Sequence, residues 1–306
     1  MNKHVFNILL ISMLVCFTVT SFAAAGQVVT DDIRQWASTT LKNEKSLDAV
    51  SGKNTIAVLY FRNSTGKTDM DPLQKGMALM LITDLSEVKG LQVVERTRLQ
   101  ALVEEMGLGT SGLVEGATVP RMGRLLSAKW LAGGGISERA GLIEVRADVL
   151  DAGESKILGQ PAGQGALSEI FRIEKDILFG MIGLLKIDVS AEDEKRLRKP
   201  CTTNYDAFVS LEKGVEESDR GNYGKAAEAY EKALKVDPSI CIAGSALDEL
   251  NALGLIGGKS RTTELLQSLR EETSLTNQLG TKNQTKFGPA NAGTPTGVDV
   301  TFPKSR

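Results

Sequence analysis

Apolar positions follow two different periods along the first part of the chain. Residues 56–61 form an unbroken apolar run of strand length, which is typical of an interior strand covered on both faces. After a polar loop, apolar residues recur at helical spacing up to Val88, and Asp71 with Pro72 provides the signal that starts this helix. The helical stripe consists of Leu73, Met77, Leu81, Leu85 and Val88. A strand followed by a helix in this way predicts an α/β arrangement.

The clearest strand of the chain is predicted at residues 142–150. Apolar side chains alternate there with Glu144, Arg146 and Asp148, so one face of the strand is expected to be buried and the other solvated. The pattern predicts further strands at 91–96, 129–137 and 156–160 and helices at 98–106, 118–126 and 169–187. In the strand at 129–137 the glycines are expected at the end.

The chain becomes purely helical after a charged segment at residues 192–200. Ala226, Tyr230 and Ala233 recur at helical spacing, and Gly214 lies on the preceding predicted helix. Small residues let two helices approach closely while an aromatic ring fills the gap, so this spacing is typical of a tetratricopeptide helix pair. The predicted fold is therefore α/β, a mixed sheet with flanking helices, followed by a C-terminal α-helical tetratricopeptide-like region.

The first residues are typical of an export signal. Lys3 precedes an apolar segment, and small residues follow at Ala23 and Ala25, so a secretory signal peptide is expected with cleavage after Ala25. Cys16 leaves open a lipoprotein signal, although Val15 is large for the position before a lipidated cysteine. The expected organisation is a signal peptide at 1–25, a helix and linker at 26–54, an α/β domain at 55–191, tetratricopeptide-like helices at 200–272 and a flexible tail at 273–306.

Composition and charge exclude several classes of function. The formal net charge is −2, which is unfavourable for a partner such as nucleic acid. The one histidine is His4, inside the predicted signal, so histidine-dependent catalysis and ordinary zinc sites are not expected. The run Gly66-Lys67-Thr68 looks like the end of a phosphate-binding loop, but Phe61 stands where that pattern needs its first glycine. The sequence thus predicts neither a cofactor nor a metal.

Two cysteines, Cys201 and Cys241, remain beyond the predicted signal. In an exported protein a lone pair of cysteines suggests a disulfide, and two buried free thiols are the alternative.

Several pieces of the first predicted domain look familiar when they are taken together. They are the strand ending in Phe61-Arg62-Asn63-Ser64-Thr65-Gly66, "LITDLS", "VVERTRLQALVEEMGLGTSGLV" and "GRLLSAKWLAGGGIS". Over residues 55–191 the chain resembles the CsgG family of curli assembly and transport proteins and the related TolB amino-terminal-type α/β domain. This resemblance implies a cell-envelope protein and, in the secretion member of the family, a subunit of a ring-shaped channel.

The sequence departs from the channel-forming member in the middle of this domain. Between Trp130 and Gln164 there is room only for ordinary short strands, whereas membrane hairpins need about 9–11 residues per strand. We therefore expect a periplasmic domain without a pore. An outer-membrane secretion channel subunit of the curli type is the alternative.

A non-enzymatic scaffold or assembly factor is the leading interpretation. Its expected partners are envelope or secreted proteins, and both a homo-oligomer and a peripheral association with the outer membrane are compatible with it. The candidate interaction residues are Asn63, Ser64, Thr65 and Gly66 in the loop and Tyr223 and Tyr230 on the helices. The alternatives are that the loop only turns the chain and that the tyrosines only pack between helices. An enzyme would have to use acid pairs drawn from Glu104, Glu105, Asp148 and Asp151, which look like solvated positions.

Overall fold

The structure, a computed structural model, describes residues 26–47, 54–108 and 118–257 of the 306-residue chain. The strands are β1 (Thr55–Asn63), β2 (Gln92–Val93), β3 (Trp130–Arg139), β4 (Leu142–Asp151), β5 (Lys156–Gly159) and β6 (Ala162–Gly165). The α-helices are α1 (Asp31–Lys42), α2 (Pro72–Ser86), α3 (Arg96–Glu105), α4 (Thr118–Leu125), α5 (Ile170–Leu185), α6 (Ala191–Leu197), α7 (Tyr205–Asp219), α8 (Tyr223–Val236) and α9 (Ala243–Ala252).

The strands form one mixed sheet in the order β2-β1-β3-β4-β5, and β6 also pairs with β4. β1 is parallel to both β2 and β3, whereas β3 and β4 form an antiparallel hairpin that pairs along its whole length. β5 and β6 lie one after the other beside the two halves of β4. The predicted fold class, a mixed sheet with flanking helices and a helical C-terminal region, is confirmed.

The predicted periodicities correspond to burial in the core. Residues Ile56 to Phe61 of β1 are buried, as an unbroken apolar run predicts. All members of the α2 stripe are buried, and α2 packs against β1 and against α5. In β4 the inward residues are buried while Arg146 is exposed, so the strict alternation is confirmed.

The hairpin of β3 and β4 differs from the expectation. Each strand has ten residues, so the prediction that residues 130–164 hold only short strands is wrong for this pair. The glycines of β3 lie inside the strand rather than at its end. A Cβ on Gly134 would approach the Arg146 carbonyl oxygen to 1.9 Å, so only glycine allows β4 to lie this close.

We call α7 and α8 the helical hairpin. The two helices approach closely at Gly214, where a Cβ would lie 2.3 Å from the Tyr230 ring. The hairpin packs against the sheet-bearing part of the chain, since the Phe208 ring meets Phe171 of α5 edge to face at 5.6 Å. The described residues form a single compact unit up to Gly257.

The residues before α1 are part of this packed unit. Val28 and Val29 are buried. The Glu249 carboxylate of α9 accepts the backbone N–H groups of Gln27 (2.7 Å) and Val28 (3.3 Å). A helix more than two hundred residues away along the chain therefore provides the acceptor for these two backbone N–H groups.

Several predictions fall on residues that the structure does not describe. They concern the signal peptide at 1–25 with Cys16, the last part of the tetratricopeptide-like region from residue 258 onwards, and the tail at 273–306. Within the described part of the chain, no helix is both long enough and apolar enough to cross a membrane.

Candidate functional site

The loop from Asn63 to Asp71 follows the carboxyl end of β1 and is held by its own side chains. Asn63 Nδ2 donates to the Lys67 carbonyl oxygen and to Asp71 Oδ1, both at 2.8 Å. Asn63 Oδ1 accepts the Thr65 N–H (3.0 Å) and the Thr65 hydroxyl (2.6 Å). The Thr65 hydroxyl oxygen in turn accepts the Lys67 N–H at 3.1 Å. The side chains of the loop itself therefore support its conformation.

The loop is also fixed to the neighbouring strand. The Ser64 N–H donates to the Ile136 carbonyl oxygen of β3 at 2.8 Å, and Lys67 Nζ forms an ion pair with Glu138 at 2.6 Å. Ser64 and Gly66 are exposed, whereas Asn63 and Thr65 are half-buried. The structure therefore brings the four candidate loop residues together, with two of them facing solvent and two holding the shape.

Asp71 plays a different part from the helix cap expected of it. Pro72 does occupy the first turn of α2, but the Asp71 side chain makes no hydrogen bond to the helix backbone. Its carboxylate instead accepts the side-chain amides of Asn63 (2.8 Å) and Gln74 (3.1 Å). Asp71 therefore connects the loop to the start of α2.

Two depressions flank the loop. On the sheet side, Ser64 lines a depression of ≈ 210 Å³ together with Ile136 and Arg146. On the other side, Thr68 and Asp71 line a cleft of ≈ 490 Å³ between the start of α2 and the exposed face of α7. We call the loop and these two depressions the loop face.

A buried polar cluster lies where the sheet-bearing part meets the helical hairpin, and the sequence reasoning missed it. Arg96 is fully buried, and its Nη1 donates to both Asp219 oxygens at 3.0 and 3.1 Å. Arg96 Nη2 and Nε donate to the Gln27 carbonyl oxygen (2.6 Å) and to Gln27 Oε1 (3.2 Å). Lys75 Nζ approaches Asp219 to 2.6 Å. We call this set the Arg96 junction; its members are Gln27, Tyr60, Lys75, Arg96, Gln100 and Asp219.

The protonation states in the Arg96 junction follow from burial and pairing. Burial disfavours the charged form of Arg96, but Asp219, Tyr60 and Tyr230 outweigh it and raise the pKa of Arg96 above its ordinary value. Burial raises the pKa of Tyr60, which is only partly offset by Arg96, so the phenol stays neutral and donates to Gln100 Oε1 at 2.7 Å. The junction therefore holds a permanent cation against a carboxylate.

One signal in the sequence could have located Arg96. It lies three and seven positions before Leu99 and Val103, so it shares the apolar face of α3. A charged residue on such a face is buried only when it is paired. The partner could not be identified, because Asp219 is 123 positions away in the chain.

The two candidate tyrosines are not exposed interaction residues in the way that was predicted. Tyr230 is fully buried against Gly214, so its predicted role in contacting a partner is wrong and its role is packing. Burial raises the pKa of its hydroxyl above the ordinary value. Tyr223 is half-buried and packs on the apolar cluster of the helical hairpin. Neither tyrosine is among the residues lining the depressions beside the loop.

Cys201 and Cys241 form a disulfide with their Cα atoms 5.4 Å apart. It joins the segment before α7 to the segment before α9, and so encloses the helical hairpin. Among the described residues no group of three or more His, Cys, Asp or Glu side chains is arranged to hold a metal ion.

Part of this chain matches a known protein family. Residues 37–138 match the family described as curli production assembly/transport component CsgG. The resemblance identified from the sequence is confirmed for this part of the chain. The matched segment runs from α1 into β3 and includes the whole Asn63–Asp71 loop.

A curated relative is described as putative adenylate cyclase 3 of Rhizobium meliloti (strain 1021). It is 24% identical to this chain over 200 residues, which covers 64% of this chain and 32% of the relative. The chain thus spans about a third of the length of the curated relative that it matches.

Two solved structures are similar to part of this chain. The LpoB C-terminal domain from Salmonella enterica has a TM-score of 0.29 and 14% identity, covering 44% of this chain and 95% of that one. Lipoprotein GNA1162 from Neisseria meningitidis has a TM-score of 0.34 and 12% identity, covering 45% of this chain and 100% of that one. At such TM-scores neither structure contributes to the proposals that follow.

Proposed function

We propose that this protein is a non-enzymatic scaffold or assembly factor of the cell envelope that binds another protein through the loop face. The observation that carries the proposal is a hydrogen-bonded, partly exposed loop inside the segment that matches the CsgG family. The match supports an envelope assembly role in general. The proposal includes three kinds of partner: a secreted protein, an envelope protein or a second copy of this chain.

The shape of the loop supports binding rather than simple chain reversal. Binding through a flexible loop would cost ordering entropy, whereas a loop already fixed by Asn63 and Thr65 loses little freedom. The exposed Ser64 and Gly66 lie between two depressions into which side chains of a partner can fit. The tetratricopeptide-like character of the helical hairpin stays a prediction, supported by the Gly214–Tyr230 contact.

Three of the four acidic residues considered for catalysis, Glu104, Asp148 and Asp151, have structural partners, which supports a non-enzymatic role. Glu104 accepts from Gln100 at 2.9 Å and pairs with Arg34 at 3.4 Å. Asp151 accepts the backbone N–H groups of Gly153 and Glu154, each at 3.0 Å, and so shapes the turn after β4. Asp148 accepts from the Gln160 side chain.

The description of the curated relative nevertheless makes one enzymatic activity worth measuring. We expect the purified protein to form no cyclic AMP from ATP with Mg²⁺ or Mn²⁺ above a boiled control. Turnover that survives repurification would contradict the non-enzymatic proposal.

Photocrosslinking tests the binding proposal directly. A photoreactive residue at Ser64, expressed in the native envelope, should capture a defined partner that mass spectrometry identifies. Ser155 is the matched control, because it is an exposed serine in the turn between β4 and β5, at the opposite end of β4 from the Asn63 loop. Equal capture at both positions, or none at Ser64, would contradict a specific loop face.

A secretion channel subunit is the alternative, and it makes a different prediction about the start of the exported protein. It predicts a lipid on Cys16 and recovery in the outer-membrane fraction. Mass spectrometry of the exported chain separates the two proposals, since the scaffold proposal expects an unmodified start at Gly26.

A further inference from the structure

The cleft between α2 and α7 has an acidic floor and apolar walls. Its volume is ≈ 490 Å³. Pro72 from the first turn of α2 and Val209 from α7 supply apolar surface, and Asp71 and Glu216 also line the cleft. The volume is large enough for a side chain of four or five heavy atoms.

Glu212 is the feature of this cleft that calls for a ligand. It lines the cleft although it is 97% buried, being only 3% exposed, and its carboxyl group packs against Gly76 of α2. Its Oε1 has no hydrogen-bond partner within the part of the chain that the structure describes. Because leaving a buried polar atom unpaired is unfavourable, a donor entering the cleft would remove that cost.

The surrounding charges specify the kind of donor. Three carboxyl groups line the cleft, on Asp71, Glu212 and Glu216. The lysines of the lining are Lys75, which is already paired with Asp219 at 2.6 Å, and Lys213. Because Asp219 neutralises Lys75, the three carboxylates outnumber the one remaining lysine once Glu212 is ionised. A cation with an apolar stem then matches both the carboxylates and the apolar lining.

We propose that this cleft binds a primary ammonium on a short alkyl stem, as presented by a lysine side chain of a partner protein, with Glu212 receiving the ammonium. The proposal rests on the proposed function, because it supplies the chemistry by which the loop face recognises a protein. In the bound state the stem would lie between Pro72 and Val209, and the Glu212 side chain would turn so that its carboxylate accepts from the ammonium.

The protonation of Glu212 gives this site a characteristic pH dependence. Burial raises the pKa of Glu212 from 4.5 to about 8, which exceeds the lowering by its cationic neighbours. The charged and titratable groups that act on it are Arg96, Lys75, Asp219, Glu216, Tyr60 and Tyr230. An arriving ammonium favours the ionised carboxylate, so at pH 7 the Glu212 proton is released to solvent when the ligand binds.

The test uses two small probes with the same four-carbon stem, one with and one without a terminal ammonium. Nα-acetyl-lysine methylamide carries the ammonium, and Nα-acetyl-norleucine methylamide has a similar stem without it. Protein-observed NMR should show saturable shifts at the amides of Val209 and Glu212 with the lysine probe, and at least tenfold weaker binding of the norleucine probe. Lysine keeps its charge up to pH 9, because its ordinary pKa is about 10.4. The affinity for the lysine probe should therefore rise at least about tenfold between pH 6.5 and 8.5, as Glu212 ionises.

Two glutamine variants complete the experiment. Glu212→Gln keeps the side-chain shape. It should weaken binding of the lysine probe about tenfold at pH 8.5 and abolish the rise of its affinity with pH. Glu228→Gln removes a carboxylate from an exposed position on α8. It should change neither the affinity for the lysine probe nor the rise of that affinity with pH. Equal weakening in both variants, equal binding of the two probes, or no shifts at Val209 and Glu212 would overturn the inference. If Ser64 captures a partner but the lysine probe does not bind, only this inference is overturned. If the lysine probe binds but Ser64 captures no partner, only the loop-face proposal is overturned.

Discussion

The sheet-bearing part of the chain and the helical hairpin keep their structure in different ways. The sheet, α2 and α5 share a large apolar cluster in which burial is spread over many aliphatic side chains. The cluster of the hairpin is smaller, relies on alanines, and includes Val28 and Leu79 from outside the C-terminal helices. Further contacts of the hairpin are individual ones, among them the disulfide, the Arg96 junction, the fit of Tyr230 on Gly214 and the contact of Phe208 with Phe171. The hairpin should therefore be far more sensitive to single substitutions than the sheet.

The largest expected effect comes from the disulfide, which encloses the helical hairpin. With 40 residues between the cysteines, the chain-entropy estimate of its contribution is about 4 kcal/mol. Replacing both Cys201 and Cys241 by serine should lower the free energy of unfolding by about this amount in urea titrations. Reduction of the wild type should have the same effect and reduction of the variant none. Unchanged stability after reduction would mean that the hairpin does not depend on the disulfide.

Breaking the Arg96 junction should have the next largest effect. Arg96→Met leaves the buried Asp219 with Lys75 as its remaining cationic partner, so we expect a loss of about 3 kcal/mol, the lower end for a broken buried pair. Arg98→Met is the control, because Arg98 is exposed on the same helix, where its guanidinium lies over the Trp36 ring. Similar losses for the two variants would contradict a special role for the junction.

Gly214→Ala tests the close approach of α7 and α8. The new methyl group would lie 2.3 Å from the Tyr230 ring, so the helices must separate, at a cost of about 2 kcal/mol in unfolding free energy. Gly183→Ala in α5 meets no atom within 4 Å, and the higher helix propensity of alanine should stabilise that variant by about 0.5–1 kcal/mol. A loss of stability in Gly214→Ala and a gain in Gly183→Ala would show that only Gly214 is required for close helix packing.

Glu212→Gln should change the pH dependence of stability. The folded-state pKa of about 8 lies above the ordinary 4.5, so the folded protein binds the extra proton between these values. The contribution of protonated Glu212 to the free energy of unfolding is complete below pH 4.5, falls as the pH rises, and is lost above pH 8. Between pH 6 and 7 the free energy of unfolding should fall by about 1.4 kcal/mol more in the wild type than in the variant, as measured by urea titrations at each pH. Parallel pH profiles would show that Glu212 ionises normally.

How far the sequence predicted the structure depended on the range of the interactions involved. The α2 stripe and the alternation in β4 are local patterns, and burial matches both. β6 was missed because Ala162–Gly165 contains no apolar pattern and pairs only through its backbone with β4. The full length of β3 was missed because glycines normally signal the end of a strand, whereas Gly134 here meets the approaching backbone of β4.

The candidate site was predictable in part for the same reason. The Asn63–Gly66 loop stands out locally, since polar turn residues follow a buried strand. The cleft beside it requires α7, which is about 140 positions further along the chain, and the burial of Glu212 depends on Gly76 of α2. No local pattern reports on such a long-range contact.

The residues ahead of α1 have a practical consequence for any shortened form of this protein. A boundary drawn at residue 55, where the sheet begins, would discard Val28 and Val29 from the interior and remove both acceptors that Gln27 offers to Arg96. Arg96 would keep its contacts with Asp219, but its Nε and Nη2 would lose the acceptors that Gln27 provides. Glu249 would lose the two backbone amides that donate to it. The shortest version that stays monodisperse should therefore start no later than Gly26.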